Sequence, residues 1–353
     1  MEFTFSEDQL LLQQTVREFL EGECTAEFVR SLWETESGRS GEFWSKLAEI
    51  GIPGLLIAEE HGGLGMDEVD QALLLEETGR AAVPGPIIDT TAVGVRLLQE
   101  AAPPELCAEW LPKVAAGEAT LAVGSSLSPF VSDAHIADFL LLQQGDEVHA
   151  VAAAGVSAVA QPSNDPSRRL FSVDWKASDA TKIADGTDGR NAWAAAIDRG
   201  AFACAAAQLG VGQQLIDMAV EYACTRKQFG VAIGTFQAIK HMLANAKVRV
   251  EYARSLVYRA GYSVAHAVES RAVDASAAKI AASEAAIAAA KIALQVYGAL
   301  GYTWEQDLHL WMRRAWSLDL AWGRGSWHRA RVADAVIDGK SPAATFGYSA
   351  PGA

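Results

Sequence analysis

The stretch that decides the fold is Thr225-Arg-Lys-Gln-Phe-Gly-Val-Ala-Ile-Gly-Thr-Phe-Gln-Ala-Ile239. It lies between two long segments of helical periodicity, so it predicts a helix end, a tight glycine-containing loop and a new helix capped by Thr235. Arg226 can hold a phosphate through two parallel N–H bonds, and Phe229 and Phe236 offer flat apolar surface to a heteroaromatic ring. The alternative is an ordinary loop whose cations complement the helix dipole. The residues alone favour that alternative.

The surrounding chain is predicted to be mainly α-helical. Four segments of helical periodicity, at about 191–224, 235–268, 271–299 and 305–337, have the length and broad apolar stripes of an antiparallel bundle. A β-rich texture with runs such as Phe139–Leu142 precedes them, and the chain before it is helical, beginning with a capping box at Ser6. The predicted domains are an N-terminal helical domain (1–120), a small middle β domain (121–188) and a C-terminal four-helix bundle (189–345).

Composition narrows the classes of function. The formal charge is −15, from 29 basic and 44 acidic residues, which argues against a nucleic-acid partner because that needs a broad basic face. No window of about 18 apolar residues occurs, so no membrane span is expected, and the predicted location is the cytoplasm. The four cysteines show no metal-binding spacing, and Glu305 and His309 lack the second copy that a bundle di-metal site requires. No metal site is predicted.

Two motifs resemble the acyl-CoA dehydrogenase family. The first is Arg226-Lys-Gln-Phe-Gly230 followed by Phe236-Gln-Ala-Ile239, and the second is Gln295-Val-Tyr-Gly-Ala-Leu-Gly-Tyr302, in which Ala299 stands where the family has glycine. The resemblance implies the family fold, FAD as cofactor and an acyl-CoA thioester as substrate. It also implies that one set of residues contacts the FAD of a neighbouring subunit: Arg226, Gln228, Phe229, Ile233, Phe236, Gln237, Gln295, Gly298 and Ala299.

The family reaction needs a carboxylate base to remove the α-proton of the thioester. By resemblance, the two positions where relatives place this base fall at Trp322 and Gly200, neither of which can accept a proton. Asp198 and Asp319 lie near these positions and are the candidate replacements. The segment Gly124–Asp133 also departs from the family's flavin-ring motif.

Three hypotheses follow from the resemblance. In the first, the chain is the degenerate subunit of an α2β2 assembly, similar to actinobacterial steroid-side-chain acyl-CoA dehydrogenases, and lends FAD contacts to a catalytic partner. In the second, it is a self-sufficient homo-oligomeric dehydrogenase with an atypically placed base. In the third, it is a non-enzymatic helical scaffold or acyl-CoA-binding protein.

Two features of the last segment stay open at this stage. Trp304, Trp311, Trp316, Trp322 and Trp327 could line a wide pocket, form an inter-subunit seam or pack in the core. His328 and Arg329 are interpreted as surface cations on a helix.

Overall fold

The computed structural model describes residues 4–337, so the predicted domain end at residue 345 lies outside the described residues. Within this part of the chain the helices are α1 Glu7–Glu23, α2 Ala26–Trp33, α3 Gly41–Glu49, α4 Glu68–Arg80, α5 Val95–Ala101, α6 Pro104–Ala115, α7 Gly186–Thr225, α8 Gln237–Ala265, α9 Arg271–Tyr297, α10 Leu308–Leu320 and α11 Gly325–Ile337. A π-helical segment covers Ile87–Gly94, and short 3-10 turns include Gly298–Tyr302. None of these helices is long and apolar enough to cross a bilayer.

The N-terminal helices begin at residues whose side chains cap them. Ser6 forms the predicted capping box, with its hydroxyl accepting from the amide of Gln9 and the Gln9 side chain accepting from Ser6. Asp67 caps α4 in the same reciprocal way with Asp70. The short helix α2 was not predicted, although Thr25 accepts from the amide of Phe28 and marks its start.

The middle region contains two small sheets. Its strands are β1 Leu121–Gly124, β2 Val131–Ser132, β3 Phe139–Gln144, β4 Glu147–Ala152, β5 Val156–Gln161, β6 Leu170–Trp175 and β7 Lys182–Ala184. One sheet has the order β1-β3-β4-β7 with a parallel β1–β3 pair, and the other has the antiparallel order β2-β6-β5. The predicted β runs correspond to β1, β3, β4 and β6, whereas β5, which is mostly exposed, and the short β2 and β7 were not predicted.

Helices α7, α8 and α9 form the centre of the bundle and pack closely because their core is rich in alanine. Glycine allows α4 to approach α7 at two points, where a β-carbon at Gly79 would lie 1.9 Å from the carbonyl oxygen of Ala207, and one at Gly210 would lie 1.8 Å from that of Glu76. Successive helices joined by short loops run antiparallel, so α7 and α9 run in the same direction. Their C-terminal ends therefore meet at one end of the bundle.

Two details of the bundle differ from the prediction. The fourth segment is not one helix, because α10 ends at Leu320 and α11 begins at Gly325, with Trp322 and Gly323 between them at φ values of +53° and +94°. Left-handed residues cannot continue a right-handed helix. Thr235 does not cap α8 either, since its hydroxyl donates to the carbonyl of Ala232 at 2.7 Å and the helix begins two residues later.

Candidate functional site

The two positions expected to carry the base meet each other in the folded chain. Gly200 lies within α7, and Trp322 lies in the turn between α10 and α11. A β-carbon added at Gly200 would lie 2.1 Å from Cδ2 of Trp322, so the indole covers this glycine. Trp322 itself is 8% exposed. The space that a catalytic carboxylate would need is therefore filled by an aromatic ring that cannot take a proton from carbon.

Polar groups from three other elements hold the indole and the backbone that carries it. Its Nε1 donates to Oδ1 of Asp89, in the π-helical segment, at 2.9 Å, and Nε2 of His328 donates to the Trp322 carbonyl at 2.9 Å. The ammonium of Lys279 donates to the carbonyls of residues 318 and 319, at 2.6 and 3.1 Å. These bonds offset the left-handed backbone of Trp322, which is costly for a residue with a β-carbon.

The charge states of these groups follow from their burial. Burial lowers the pKa of His328 to about 4, so the imidazole is neutral near pH 7 and Nδ1 accepts from the hydroxyl of Ser276 at 3.0 Å. Burial also lowers the pKa of Lys279. The interpretation of His328 as a surface cation is wrong, because the side chain is fully buried and uncharged.

A small charged cleft lies beside the indole. Asp89, Asp133, Arg168 and Arg314 contribute to its lining, and its volume is about 40 Å³. A pocket for a drug-sized ligand usually has a volume of roughly 300–1,000 Å³, whereas one water needs about 10–15 Å³ of such space. The cleft therefore has room for a few waters and none for an acyl chain.

The carboxyl groups in this cleft are shifted towards their neutral form. Burial raises the pKa of Asp133 to about 7, the charge of Asp89 acts in the same direction, and Arg168 opposes both effects. Burial likewise raises the pKa of Asp89. A carboxyl group that titrates near neutral pH could exchange protons, but Asp133 is 4% exposed and the cleft beside it is too small for an acyl chain.

Neither candidate replacement base is placed at the indole. Asp198 lies two residues before Gly200, which puts it on the opposite face of α7, because each residue turns a helix by about 100°. Its carboxylate is 1% exposed and pairs with Arg331 at 2.6 Å and Arg271 at 3.3 Å. Asp319 stands at the end of α10, three residues before Trp322, and is partly exposed.

The first motif forms an exposed hairpin at the end of α7. Strands β8 Lys227–Gln228 and β9 Val231–Ala232 pair around Phe229 and Gly230, which both have positive φ, as a two-residue hairpin turn requires. Arg226, Gln228, Phe236 and Gln237 are exposed, and Ile233 is half-buried. Phe229 is 93% exposed, and its ring lies 6.2 Å from that of Phe236 in an edge-to-face arrangement. A cation, an amide and two aromatic rings are thus presented together to the outside of the chain.

The second motif lies at the same end of the bundle. The rings of Tyr222, one turn before Arg226, and Tyr297, at the end of α9, are stacked with centroids 4.2 Å apart. Gly298 and Ala299, which follow Tyr297, are exposed, as is Gln295 two residues before it. Gly298 has φ +62° and ψ −138°, a conformation that is essentially restricted to glycine, with open space around its α-carbon. The fold therefore brings the two sequence motifs together on one surface.

Sequence reasoning missed Asp89, which binds the indole, Lys279 and Ser276, which hold the neighbouring backbone and His328, and Asp133 in the adjacent cleft. Each is a polar residue in an apolar helical or loop context, and no local spacing connects them. The tryptophans of the last segment do not share one role. Trp311 and Trp322 are buried in the core, whereas Trp304 is 64% and Trp316 is 37% exposed. Between residues 4 and 337, no group of three His, Cys, Asp or Glu side chains is placed to hold a metal ion.

Residues 125–130, which replace the family's flavin-ring motif, form a self-contained polar turn. The Ser128 hydroxyl donates to the carbonyl of Phe130 at 3.0 Å and accepts from its amide at 3.1 Å. The amide of Ser126 donates to the Gln143 side chain at 2.8 Å. The hydrogen-bonding groups of this turn are therefore partly occupied within the chain.

Comparison with known proteins identifies relatives over nearly the whole chain. Residues 6–118 match "Acyl-CoA dehydrogenase, N-terminal domain", and residues 187–337 match "Acyl-CoA dehydrogenase, C-terminal domain". The chain is 34% identical to "Acyl-CoA dehydrogenase IpdE2" of Mycolicibacterium smegmatis over 88% of this chain and 93% of that protein. It is 32% identical to the protein of the same name from Mycobacterium tuberculosis, over 88% of this chain and 91% of the relative.

A solved structure agrees with this assignment. The structure described as the ChsE4-ChsE5 complex from Mycobacterium tuberculosis contains a chain that superposes with a TM-score of 0.84 at 25% identity, over 97% of this chain and 100% of that one. The N-terminal helices, the small β region and the helix bundle all fall within the matched length. The chain is therefore a member of the acyl-CoA dehydrogenase family, a family of FAD-dependent oxidoreductases.

Proposed function

We propose that this chain is the subunit of a two-chain acyl-CoA dehydrogenase that lacks the catalytic carboxylate base. In this proposal it contributes contacts to an FAD whose flavin ring lies on the partner chain. The assembly would desaturate the α,β-bond of an acyl-CoA thioester. The observation that carries the proposal is the Trp322 indole lying on Gly200, since it occupies both positions where the family places its base.

The chain's residues fit the nucleotide half of FAD but not the reacting half. The exposed hairpin offers Arg226 and Gln228 for the pyrophosphate, and Phe229 and Phe236 for the adenine. Ile233, Gln237, Gln295, Gly298 and Ala299 complete this surface in the proposal. The methyl group of Ala299 is exposed and does not close the surface. Around Trp322, by contrast, the 40 Å³ cleft has no room for an acyl chain.

Distance along α7 supports a cofactor that belongs to another chain. Gly200 and Arg226 are separated by 26 residues, 25 of which continue the same helix, so the two positions lie about 39 Å apart. This distance is longer than an extended FAD molecule. A single FAD therefore cannot touch Arg226 and also place its ring beside Gly200 of the same chain.

The chemical roles divide between the chains accordingly. When bound, FAD supplies the acceptor for the β-hydrogen of the substrate, and in the proposal a carboxylate of the partner removes the α-proton. The residues of this chain bind and orient the nucleotide end, which fixes the ring on the partner side. In this chain the Trp322 indole fills the position of the base and so keeps water and substrate out of it. The steroid class suggested by the resemblance stays a prediction.

The alternative of a self-sufficient dehydrogenase is not favoured by any observation on the described residues. Both carboxylate oxygens of Asp198 are occupied by arginines, and Asp319 lies at the end of a helix and does not line the cleft beside the indole. The partner in the proposal is a homologous chain with Asp or Glu at a position equivalent to Trp322 or Gly200. The solved ChsE4-ChsE5 complex, by its description an assembly of two differently named chains, contains a chain with the fold of this one.

Co-expression tests the proposal. The chain would be purified alone and with a homologous, base-bearing chain from the same genome, and the absorbance at flavin wavelengths would be compared with the protein concentration. We expect a colourless sample alone and one FAD per pair of chains in the complex. Arg226→Ala should reduce flavin retention in the complex, whereas Arg249→Ala, which alters an exposed arginine on α8, should not. A yellow, active sample of this chain alone would reject the proposal, and a flavin-free complex would favour the scaffold hypothesis.

A further inference from the structure

The loop that carries the second FAD motif is attached to the N-terminal part of the chain. Arg30, on α2, forms an ion pair with Asp307 at 2.6 Å, and its guanidinium also donates to the carbonyl of Trp304 at 3.4 Å. Both acceptors lie in the loop between the exposed 298–302 turn and α10. Residues almost 280 positions apart in sequence are therefore joined beside the proposed nucleotide surface.

Aromatic rings extend this attachment. Trp33, at the end of α2, lies 6.5 Å from Trp304 and 5.7 Å from His309 between ring centroids, and Trp304 and His309 are 4.6 Å apart. The guanidinium of Arg313 lies 5.1 Å from the centre of the Trp304 ring. We call this set the α2 contact: Arg30, Trp33, Trp304, Asp307 and His309.

His309 acts in this set as an apolar spacer. Among the described residues neither of its ring nitrogens has a hydrogen-bond partner, although both are buried. Burial lowers the pKa of His309, and the nearby charges of Arg313 and Arg30 lower it further, whereas Asp307 opposes. The ring is therefore neutral near pH 7 and packs against the two indoles at interplanar angles of 47° and 66°.

The end of α2 is itself fixed by the β region. Nε1 of Trp33 donates to the hydroxyl of Ser167 at 2.6 Å, and the Arg169 guanidinium donates to the carbonyls of Trp33 and Thr35 at 3.3 and 2.5 Å. Through α2, these bonds connect the 303–307 loop to the β region outside the helix bundle. The turn that it supports is open, since Gly298 and Ala299 are exposed and Tyr302 is 79% exposed.

We propose that Arg30 and Trp33 are positioning residues for cofactor binding, which hold the 298–302 turn in the geometry that the partner's FAD requires. This inference rests on the proposed function. An exposed turn that must be ordered when the nucleotide binds weakens affinity by the cost of ordering it, and a preformed turn avoids that cost. Arg30 and Trp33 themselves lie in the N-terminal helical part and act through the loop.

The size of the effect follows from the exposure of the ion pair. The Arg30 and Asp307 side chains are each 36% exposed, and such pairs are usually worth roughly 0.2–1 kcal/mol, which corresponds to a change of about 1.4- to 5-fold in an equilibrium constant. Arg30→Ala in the two-chain complex should therefore speed FAD dissociation about 1.4- to 5-fold. Arg30→Lys should recover part of this loss, and Asp307→Asn should add little to Arg30→Ala because both remove the same pair.

The matched control is Lys46→Ala. Lys46 pairs with Glu23 at 2.8 Å, with side-chain exposures of 35% and 42%, in the same N-terminal part but away from the loop. Lys46→Ala should change the free energy of unfolding about as much as Arg30→Ala does, without changing the rate of FAD dissociation. Trp33→Phe, which keeps an aromatic ring but loses the bond to Ser167, provides a second variant in case Arg30→Ala has too small an effect.

Two measurements separate the possible outcomes. Amide hydrogen exchange of residues 298–307 in the chain alone should increase in Arg30→Ala and not in Lys46→Ala; unchanged exchange in both Arg30→Ala and Trp33→Phe would overturn the α2 contact. FAD dissociation is then measured in the complex. Faster exchange with a wild-type dissociation rate would overturn the positioning role and leave the proposed function intact. A wild-type complex that holds no FAD would instead overturn the proposed function, and this inference with it.

Discussion

Replacing Trp322 tests whether the indole fills the former base site. Removing a buried tryptophan to alanine usually costs about 3–5 kcal/mol through lost contacts and the cavity that remains. Here Asp89 also loses the donor that approaches it at 2.9 Å, and an unsatisfied buried acceptor costs about 1–3 kcal/mol more. Trp322→Ala should therefore lower the free energy of unfolding by about 4–8 kcal/mol.

The left-handed backbone at this position makes a second, distinctive prediction possible. Alanine at φ +53° keeps the strain of about 1–2 kcal/mol, whereas glycine removes it. The free energy of unfolding should consequently be about 1 kcal/mol higher for Trp322→Gly than for Trp322→Ala, although glycine removes one more atom. Free indole, added at millimolar concentration, should restore part of the stability of either variant by filling the cavity.

Urea unfolding at one fixed protein concentration, followed by circular dichroism, measures these differences. Trp316→Ala is the control, because Trp316 lies on α10 six residues away and is 37% exposed; it should cost about 1 kcal/mol or less. A loss below 1 kcal/mol for Trp322→Ala, or the same loss for Trp316→Ala, would refute the placement of the indole against Gly200 and Asp89.

Three further predictions concern charge and exposure. Asp133 has a pKa of about 7 in the folded chain and about 3.9 when unfolded, so between these pH values the folded state binds one proton that the unfolded state has lost. The free energy of unfolding should therefore fall by up to about 4 kcal/mol as the pH rises from 4 to 7. Asp133→Asn should reduce this pH dependence, as measured by urea titrations at several pH values. Arg331→Ala removes the shorter of the two ion pairs of buried Asp198 and should cost about 3 kcal/mol, which thermal unfolding would show; a change below 0.5 kcal/mol would mean that this ion pair is absent. Phe229→Ala should leave the unfolding midpoint unchanged, because the ring is 93% exposed, and yet weaken flavin retention in the complex; a large loss of stability would contradict the exposed hairpin.

Local sequence rules predicted the elements that local chemistry determines. The capping box at Ser6 and the long apolar stripes of α7, α8 and α9 all carry their signal within one or two helical turns. The exposed hairpin at Phe229 is also local, since its turn residues are adjacent. The mainly helical fold class and the family were therefore within reach of the sequence.

The contact between Gly200 and Trp322, which fills the position of the family's base, could not be predicted in the same way. Gly200 and Trp322 are 122 residues apart, and only packing of the α10–α11 turn onto α7 brings them together. The break in the fourth helical segment depends on a left-handed tryptophan, a conformation that sequence statistics disfavour. The support for that turn comes from Lys279 and His328, which in isolation have the pattern of ordinary surface residues.

A structure of the two-chain complex, determined with FAD bound, tests the central claim most directly. The account predicts that the adenine end of FAD lies against Arg226 and Phe229 of this chain while the flavin ring lies on the partner, and that the Trp322 indole still covers Gly200. A flavin ring bound beside Trp322, or an Arg226 that faces solvent away from every cofactor, would contradict it.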